Sequence, residues 1–245
     1  MSWDSLSLSL SLNQINKNQD AREVMELFDA IKKDDIKTIL HYFEMGKANV
    51  NANINNETPL MVAMKLEKLE IFNLLINSHA NVNQEIDDNG HTLIWRALWQ
   101  NKMDFFASLA KKASKNTRES KSDRTILMES VLRSNLDAVK TLIINDFKVG
   151  DTDNVGNTAL HYATKNKRNQ VNDEIIIFLL DSGADAEKLN SLGEKPSDLF
   201  NEDIDTGDKG NNFNDDDDVV LTNNKKHTNK NNSGAKSKPQ KYKPK

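Results

Sequence analysis

The chain has 245 residues, room for one or two domains, and a hydrophobic content of 37% that leaves too little apolar surface to fold all of that length. Its net charge of −4 gives no general reason for nucleic-acid binding. With no cysteine, disulfides, thiolate nucleophiles and every cysteine-ligated metal site are excluded.

The first residues alternate serine and leucine up to Leu12, with no basic region and no continuous apolar run. Residues 1–19 are expected to be a flexible leader and not a secretory signal peptide. No stretch approaches the roughly 18 consecutive apolar residues of a membrane-spanning helix. Residues 21–53 read as two helices closed by Met45-Gly46-Lys47-Ala48-Asn49-Val50-Asn51.

Thr58-Pro59-Leu60-Met61-Val62-Ala63 then opens a segment that recurs three times. The later copies are Thr92-Leu93-Ile94-Trp95-Arg96-Ala97, Thr125-Ile126-Leu127-Met128-Glu129-Ser130 and Thr158-Ala159-Leu160-His161-Tyr162-Ala163. The threonines stand 34, 33 and 33 residues apart, a regularity that marks a repeat array. A second signal keeps step, since Leu74-Leu75-Ile76-Asn77-Ser78-His79-Ala80-Asn81 matches Phe178-Leu179-Leu180-Asp181-Ser182-Gly183-Ala184-Asp185. Turn sequences precede the threonines, as in Asp88-Asn89-Gly90-His91 and Asp153-Asn154-Val155-Gly156-Asn157. Each unit holds a short helix, a turn and a second helix with apolar residues three and four apart, such as Ile71, Leu74 and Leu75. One unit cannot bury its apolar face alone, whereas stacked units share a continuous core. The motif threonine is expected to cap the first helix, with Pro59 at the position where a missing N–H costs nothing.

Thr-Pro-Leu-His-x-Ala, a Leu-Leu helix and a Gly-Ala-Asp-x-Asn loop together resemble the ankyrin repeat, and Gly156 to Ala163 is the best copy. The resemblance covers residues 21–200 and implies an all-α fold, an ankyrin-repeat α-solenoid of stacked helix–turn–helix units with β-turn loops. The array is expected over 20–201, with units near 21–53, 54–86, 87–120, 121–153 and 154–189 and a truncated final one at 190–201. It also implies that His161 links neighbouring turns by hydrogen bonds. The chain departs from the pattern in three places. The middle copies lose the motif proline and histidine. After Leu109, Lys111-Lys112-Ala113-Ser114-Lys115-Asn116-Thr117-Arg118 replaces Gly-Ala-Asp and is expected to be a basic, mobile connection. The last full copy gains four residues around Lys167-Arg168-Asn169-Gln170, expected to emerge as a loop.

Beyond residue 201 the periodicity stops. Residues 202–218 hold eight acids against Lys209, and residues 225–245 hold eight lysines and no acid. Residues 202–245 are expected to be a disordered tail, acidic and then basic.

Phosphate-binding, dinucleotide, zinc-protease and nucleophile-elbow motifs are all missing. His41, His79, His91, His161 and His227 include no pair at helical ligand spacing, and Asp215 to Asp218 lack the spacing of a calcium loop. No enzyme activity, metal or cofactor is expected.

In ankyrin proteins the partner lies along a concave surface made by turn tips and first helices. Carried over by position, the partner-binding residues are Lys65, Leu66, His91, Trp99, Gln100, Arg124, Leu132, Arg133, Asn157, Lys165 and Asn166. Trp99 and Arg133 are of the types over-represented at interface hot spots, although Trp99 could equally fill space left by lost small residues. Trp95 is expected in the core, with at least one of Phe105 and Phe106. Lys65, Arg124, Arg133 and Lys165 would make the groove mildly basic, suited to an acidic or phosphorylated segment.

The function implied is a non-catalytic, monomeric protein-interaction module with a protein partner and no small-molecule substrate. The alternative is a tethering protein whose lysine-rich tail binds anionic membrane or nucleic acid. The 32 asparagines, with abundant lysine and isoleucine, point to an AT-rich genome such as those of large viruses, some protists or intracellular bacteria. Many ankyrin proteins of such bacteria act in the host cell, so the expected location is the cytoplasm or, by export without a signal peptide, the host.

Overall fold

A computed structural model describes residues 21–47, 49–166 and 170–200. The leader, the tail and the inserted residues 167–169 fall outside the described residues. Helix α1 covers residues 21–33. It is followed by α2 (Ile36–Glu44), α3 (Pro59–Lys65), α4 (Leu69–Asn77), α5 (Leu93–Trp99) and α6 (Met103–Ala110). Then come α7 (Ile126–Leu132), α8 (Leu136–Ile144), α9 (Ala159–Lys165), α10 (Gln170–Asp181) and a 3₁₀ turn at Pro196–Leu199. In one layer α5 packs on α7, α7 on α9, and α9 on the 3₁₀ turn; in the other α4 packs on α6, α6 on α8, and α8 on α10. The β component among the described residues is three isolated antiparallel bridges, Ile54–Glu57, Glu85–Thr92 and Arg118–Thr125, which close the loops before the motif threonines.

The helix starts follow from the repeated motif, whose threonine hydroxyl caps two of the four first helices. The Thr58 and Thr125 hydroxyls accept from the N–H groups of Met61 and Met128, each at 3.3 Å, and Pro59 takes the first helical position of α3. The Thr158 hydroxyl instead lies 2.9 Å from His161 Nδ1. The Thr92 hydroxyl is buried with no hydrogen-bond partner, so capping by threonine does not extend to α5. The tight turn inside each of the first four units takes one left-handed residue, and Asp34, Glu67, Asn101 and Ser134 supply it with φ of 61°, 59°, 52° and 51°. The next residue ties the unit to its neighbour: Lys68 bonds Asp34 at 2.9 Å, and Lys102 reaches Glu67 at 3.3 Å and the Met64 carbonyl at 2.9 Å.

Turn tips are laddered through the backbone. Ser120 N–H donates to Asn89 O, Asn154 N–H to Ser122 O and Ser191 N–H to Val155 O, at 2.8, 3.1 and 2.9 Å. Gly90 and Gly156 hold φ of +76° and +83° at these tips, and a Cβ there would lie 2.9 Å from Ser120 Oγ or 3.0 Å from Ser191 N. Between the layers Ile71, Phe72, Leu75, Trp95, Phe106 and Leu109 are fully buried, and Phe105 is nearly so, meeting Phe72 edge-on at 4.9 Å.

The Lys111 to Arg118 connection, expected to be loose, is pinned along its length. Ala113 is buried against Leu109, whose carbonyl accepts its N–H at 2.8 Å, and Ser114 N–H donates to Asn83 Oδ1 at 2.7 Å. Lys115 donates to the Ala110 carbonyl at 2.7 Å and sits 4.2 Å from the centre of the Phe147 ring; this burial pushes its ammonium below the usual lysine range. Arg118 crosses to the next unit, bonding the Thr152 carbonyl at 2.7 Å and Asp151 at 3.1 Å. Side chains have thus replaced the Gly-Ala-Asp loop as the means of closing this turn.

Candidate partner-binding surface

The Thr92 and Thr125 units bring three of the expected residues, Trp99, Arg124 and Arg133, together around one acid that the sequence reading passed over. Glu129, only 8% exposed, accepts from Trp99 Nε1–H at 3.0 Å and from Arg133 Nε–H at 2.8 Å, both through Oε1. Its other oxygen lies 3.5 Å from Arg124. Arg133 stands over the Trp99 ring at 6.0 Å, and Arg124 also bonds Glu119 at 3.1 Å, while the Ser122 hydroxyl donates to the same carboxylate. Burial pushes the Glu119 carboxyl up, but the bonds from Ser122 and Arg124 outweigh it and hold the group below its ordinary range.

Beneath Trp99 lies a stack. His91 meets Trp95 at 4.8 Å and Trp99 at 4.7 Å, and its Nδ1 lies 2.8 Å from Asp87 Oδ2. Burial raises the Asp87 carboxyl, yet hydrogen bonds from the His91 ring and from the backbone N–H groups of His91 and Asn89 bring it below the usual value. His91 is therefore 7% exposed and forms the underside of the aromatic platform, with little surface of its own to offer. Trp99 is partly buried: its indole N–H is spent on Glu129, and part of the side chain remains accessible.

The remaining expected residues lie along the same face. Lys65, Gln100 and Lys165 are exposed, Leu66 is 40% exposed and Leu132 is partly buried. Asn166 and Asn157 are turned to structural work. Asn166 Nδ2–H donates to the Leu132 carbonyl at 3.2 Å, and Asn157 Oδ1 accepts from Asn190 at 3.0 Å while its own amide N–H groups donate to Asp153. At the far end Tyr162 donates to Asp153 at 2.6 Å, and burial followed by that bond pushes its phenol well above the ordinary tyrosine range.

The charge of this face differs from the sequence expectation. Lys65 is paired with Glu57 at 2.7 Å, and Arg124 and Arg133 share Glu119 and Glu129. Three of the four cations expected to make the groove basic are neutralised within the array. Glu129 and Arg96, neither singled out from the sequence, share a readable signal: both occupy the variable place in the motif, alongside Val62 and Tyr162. On a helix that place sits one turn before the positions read as contacts, on the same face.

The family profile described as ankyrin repeats (three copies) matches residues 27–119 and 109–190. The chain belongs to the ankyrin-repeat family. Among solved structures, this ankyrin array is similar to an ankyrin-repeat domain from Acinetobacter baumannii AYE, at 24% identity and a TM-score of 0.59, over 71% of this chain and 89% of that one. It is similar also to the ankyrin-repeat protein EF0377, at 22% identity and TM-score 0.57, over 71% and 88%. A third similar chain comes from the complex of the predatory endopeptidase Bd0816 with the immunity protein Bd3460 of Bdellovibrio bacteriovorus, at 21% identity and TM-score 0.54, over 71% and 89%. At these identities the likeness is one of fold. No significant match to a curated protein was found. An ankyrin array is a protein–protein interaction module, in general a non-catalytic scaffold whose repeats create an extended concave surface.

Proposed function

We propose that this array binds a partner protein on the face formed by turn tips and first helices, with Trp99 and Arg133 as the anchor. The supporting observation is that Trp99 and Arg133 are bonded to one and the same oxygen of the buried Glu129. Both side chains are thereby fixed before a partner arrives, which removes much of the ordering cost that an interface otherwise carries. Leu66, Gln100, Leu132 and Lys165 flank the anchor and complete the contact. The asparagine-rich composition supports a partner in the host cell of an intracellular microbe.

The test is capture of binding partners by the full-length chain beside its Trp99→Ala/Arg133→Ala variant, with captured proteins identified by mass spectrometry and affinities then measured. The double substitution is expected to weaken binding by more than about 2 kcal/mol, as for paired hot spots. A partner held with full affinity by the folded variant would overturn the reading. If that binding instead fell steeply with salt, the eight lysines of residues 225–245 would become the contact and the tethering alternative would stand.

A further inference from the structure

Between α3 and α5 the same face opens into a cleft of about 480 Å³, floored by Met61 and the buried Met64. Four charged side chains line it: Glu57, Lys65, Arg96 and Lys102. Lys65 is paired with Glu57, and Lys102 is spent on Glu67 and the Met64 carbonyl. Arg96 is different. It is partly buried, and its guanidinium makes no hydrogen bond or ion pair among the described residues. Its counterparts in the next two units do have partners: Glu129 holds two arginines and a tryptophan, and Tyr162 holds Asp153. A partly buried guanidinium beside two methionines is less well hydrated than one in open water, so an incoming anion is attracted to it more strongly.

We infer that this cleft receives an acidic side chain of the protein partner, with its carboxylate on the Arg96 fork and a neighbouring apolar side chain on Met61 and Met64. The inference rests on the reading that this face binds a protein, and adds to it the chemistry of the bound segment. A planar carboxylate matches one guanidinium with two parallel N–H···O bonds. A phosphate is disfavoured here: phosphorylated segments are recognised by clusters of arginine, and the Glu57 carboxylate on the same cleft opposes a dianion. The thioether floor adapts to whichever apolar side chain accompanies the acid.

The experiment selects binders of the immobilised full-length protein from a displayed library of random linear peptides. Enriched sequences are resynthesised in three forms, with the acid intact, changed to its amide, or replaced by phosphoserine. Each is titrated against the native chain, Arg96→Gln, Arg96→Lys and the Trp99→Ala/Arg133→Ala variant, all with thermal unfolding checked. Enriched peptides are expected to carry Asp or Glu beside Met, Leu or Phe. The amide form should bind the native chain at least about tenfold more weakly, as for a lost charged hydrogen bond. Acid and amide forms should bind Arg96→Gln equally, with Arg96→Lys in between. Enrichment of nothing, binders without an acid, or an acid-to-amide loss that persists in Arg96→Gln would overturn the inference. Tighter Arg96-dependent binding of the phosphoserine form would overturn the carboxylate assignment. Peptides sensitive to Trp99 and Arg133 but indifferent to Arg96 would sink this cleft and leave the anchor standing, whereas peptides indifferent to both would sink both.

Discussion

The units that begin at Thr92 and Thr158 solve one problem in opposite ways. In the later one His161 Nδ1 accepts from the Thr158 N–H at 3.1 Å, and because that backbone group can only donate, the ring proton sits on Nε2, 3.2 Å from the Glu194 carbonyl. Neighbouring units are locked there by hydrogen bonds. In the earlier unit Trp95 occupies the equivalent place, and both its indole N–H and the Thr92 hydroxyl are buried without partners. Volume has replaced polarity: two unpaired groups, at about 1–3 kcal/mol each, are offset by a large buried aromatic surface. The exchange has a second effect. Trp95 supports a stack through His91 to Trp99, so a unit that has lost the motif proline and histidine is the one that carries an aromatic platform to the surface.

That contrast can be broken or sharpened by substitution and by pH. Trp95→Ala should have the largest effect, a loss of about 3–5 kcal/mol in urea unfolding, because nothing else fills the space. Trp95→His should remain less stable than the native chain despite offering Thr92 a partner, since the void outweighs one restored bond. His161→Ala should cost about 1–3 kcal/mol, by orphaning the buried Thr158 N–H. A larger loss from His161→Ala than from Trp95→Ala would reverse the ranking of bonding and volume argued here. Acid should act more gently and on the aromatic side first. Asp87 and Glu119 have folded-state affinities for protons below their ordinary values of about 4, so their stabilisation is fully present above that pH and disappears as pH falls through the lowered values. Indole fluorescence followed downward from neutral pH should therefore change before far-ultraviolet ellipticity is lost. Simultaneous change in the two signals would remove any special role for these carboxylates.

Much of this fold is legible in the order of residues because every unit must make the same two turns and bury the same stripe. The period of the threonines, Pro59 at a helix start and Ile71 with Leu75 on an inner face all follow from that requirement. The site was legible as positions and illegible as pairings. Trp99 and Arg133 could be placed from the repeat register, but a sequence does not say which neighbour a guanidinium will choose, so Glu129 and Glu119 went unread and the groove looked basic. His91 stands at a tip position, yet two tryptophans on the following helix cover it. Asn157 and Asn166 occupy variable places but turn inward, where amides can bridge to the adjoining unit. Arg96 was overlooked because its importance lies in a missing partner, which only three dimensions reveal.

The ties between units have a consequence for how the chain reaches its fold. Lys68 to Asp34, Asn81 to Asn51, Trp99 to Glu129, Asn166 to Leu132 and His161 to Glu194 span 34, 30, 30, 34 and 33 residues. Each closes a loop of about one repeat, so the entropy of closure stays small and nearly constant from one end of the array to the other. Folding can begin at any adjacent pair and grow outward by accretion, and it should be fast for a domain of this size because contact order does not rise with length. The same arithmetic makes the join between the Thr92 and Thr125 units a splice: losing the Trp99–Glu129 bond, the Asn89–Ser120 rung and the α6–α8 packing together would leave two shorter stacks, each still held together by its own neighbours.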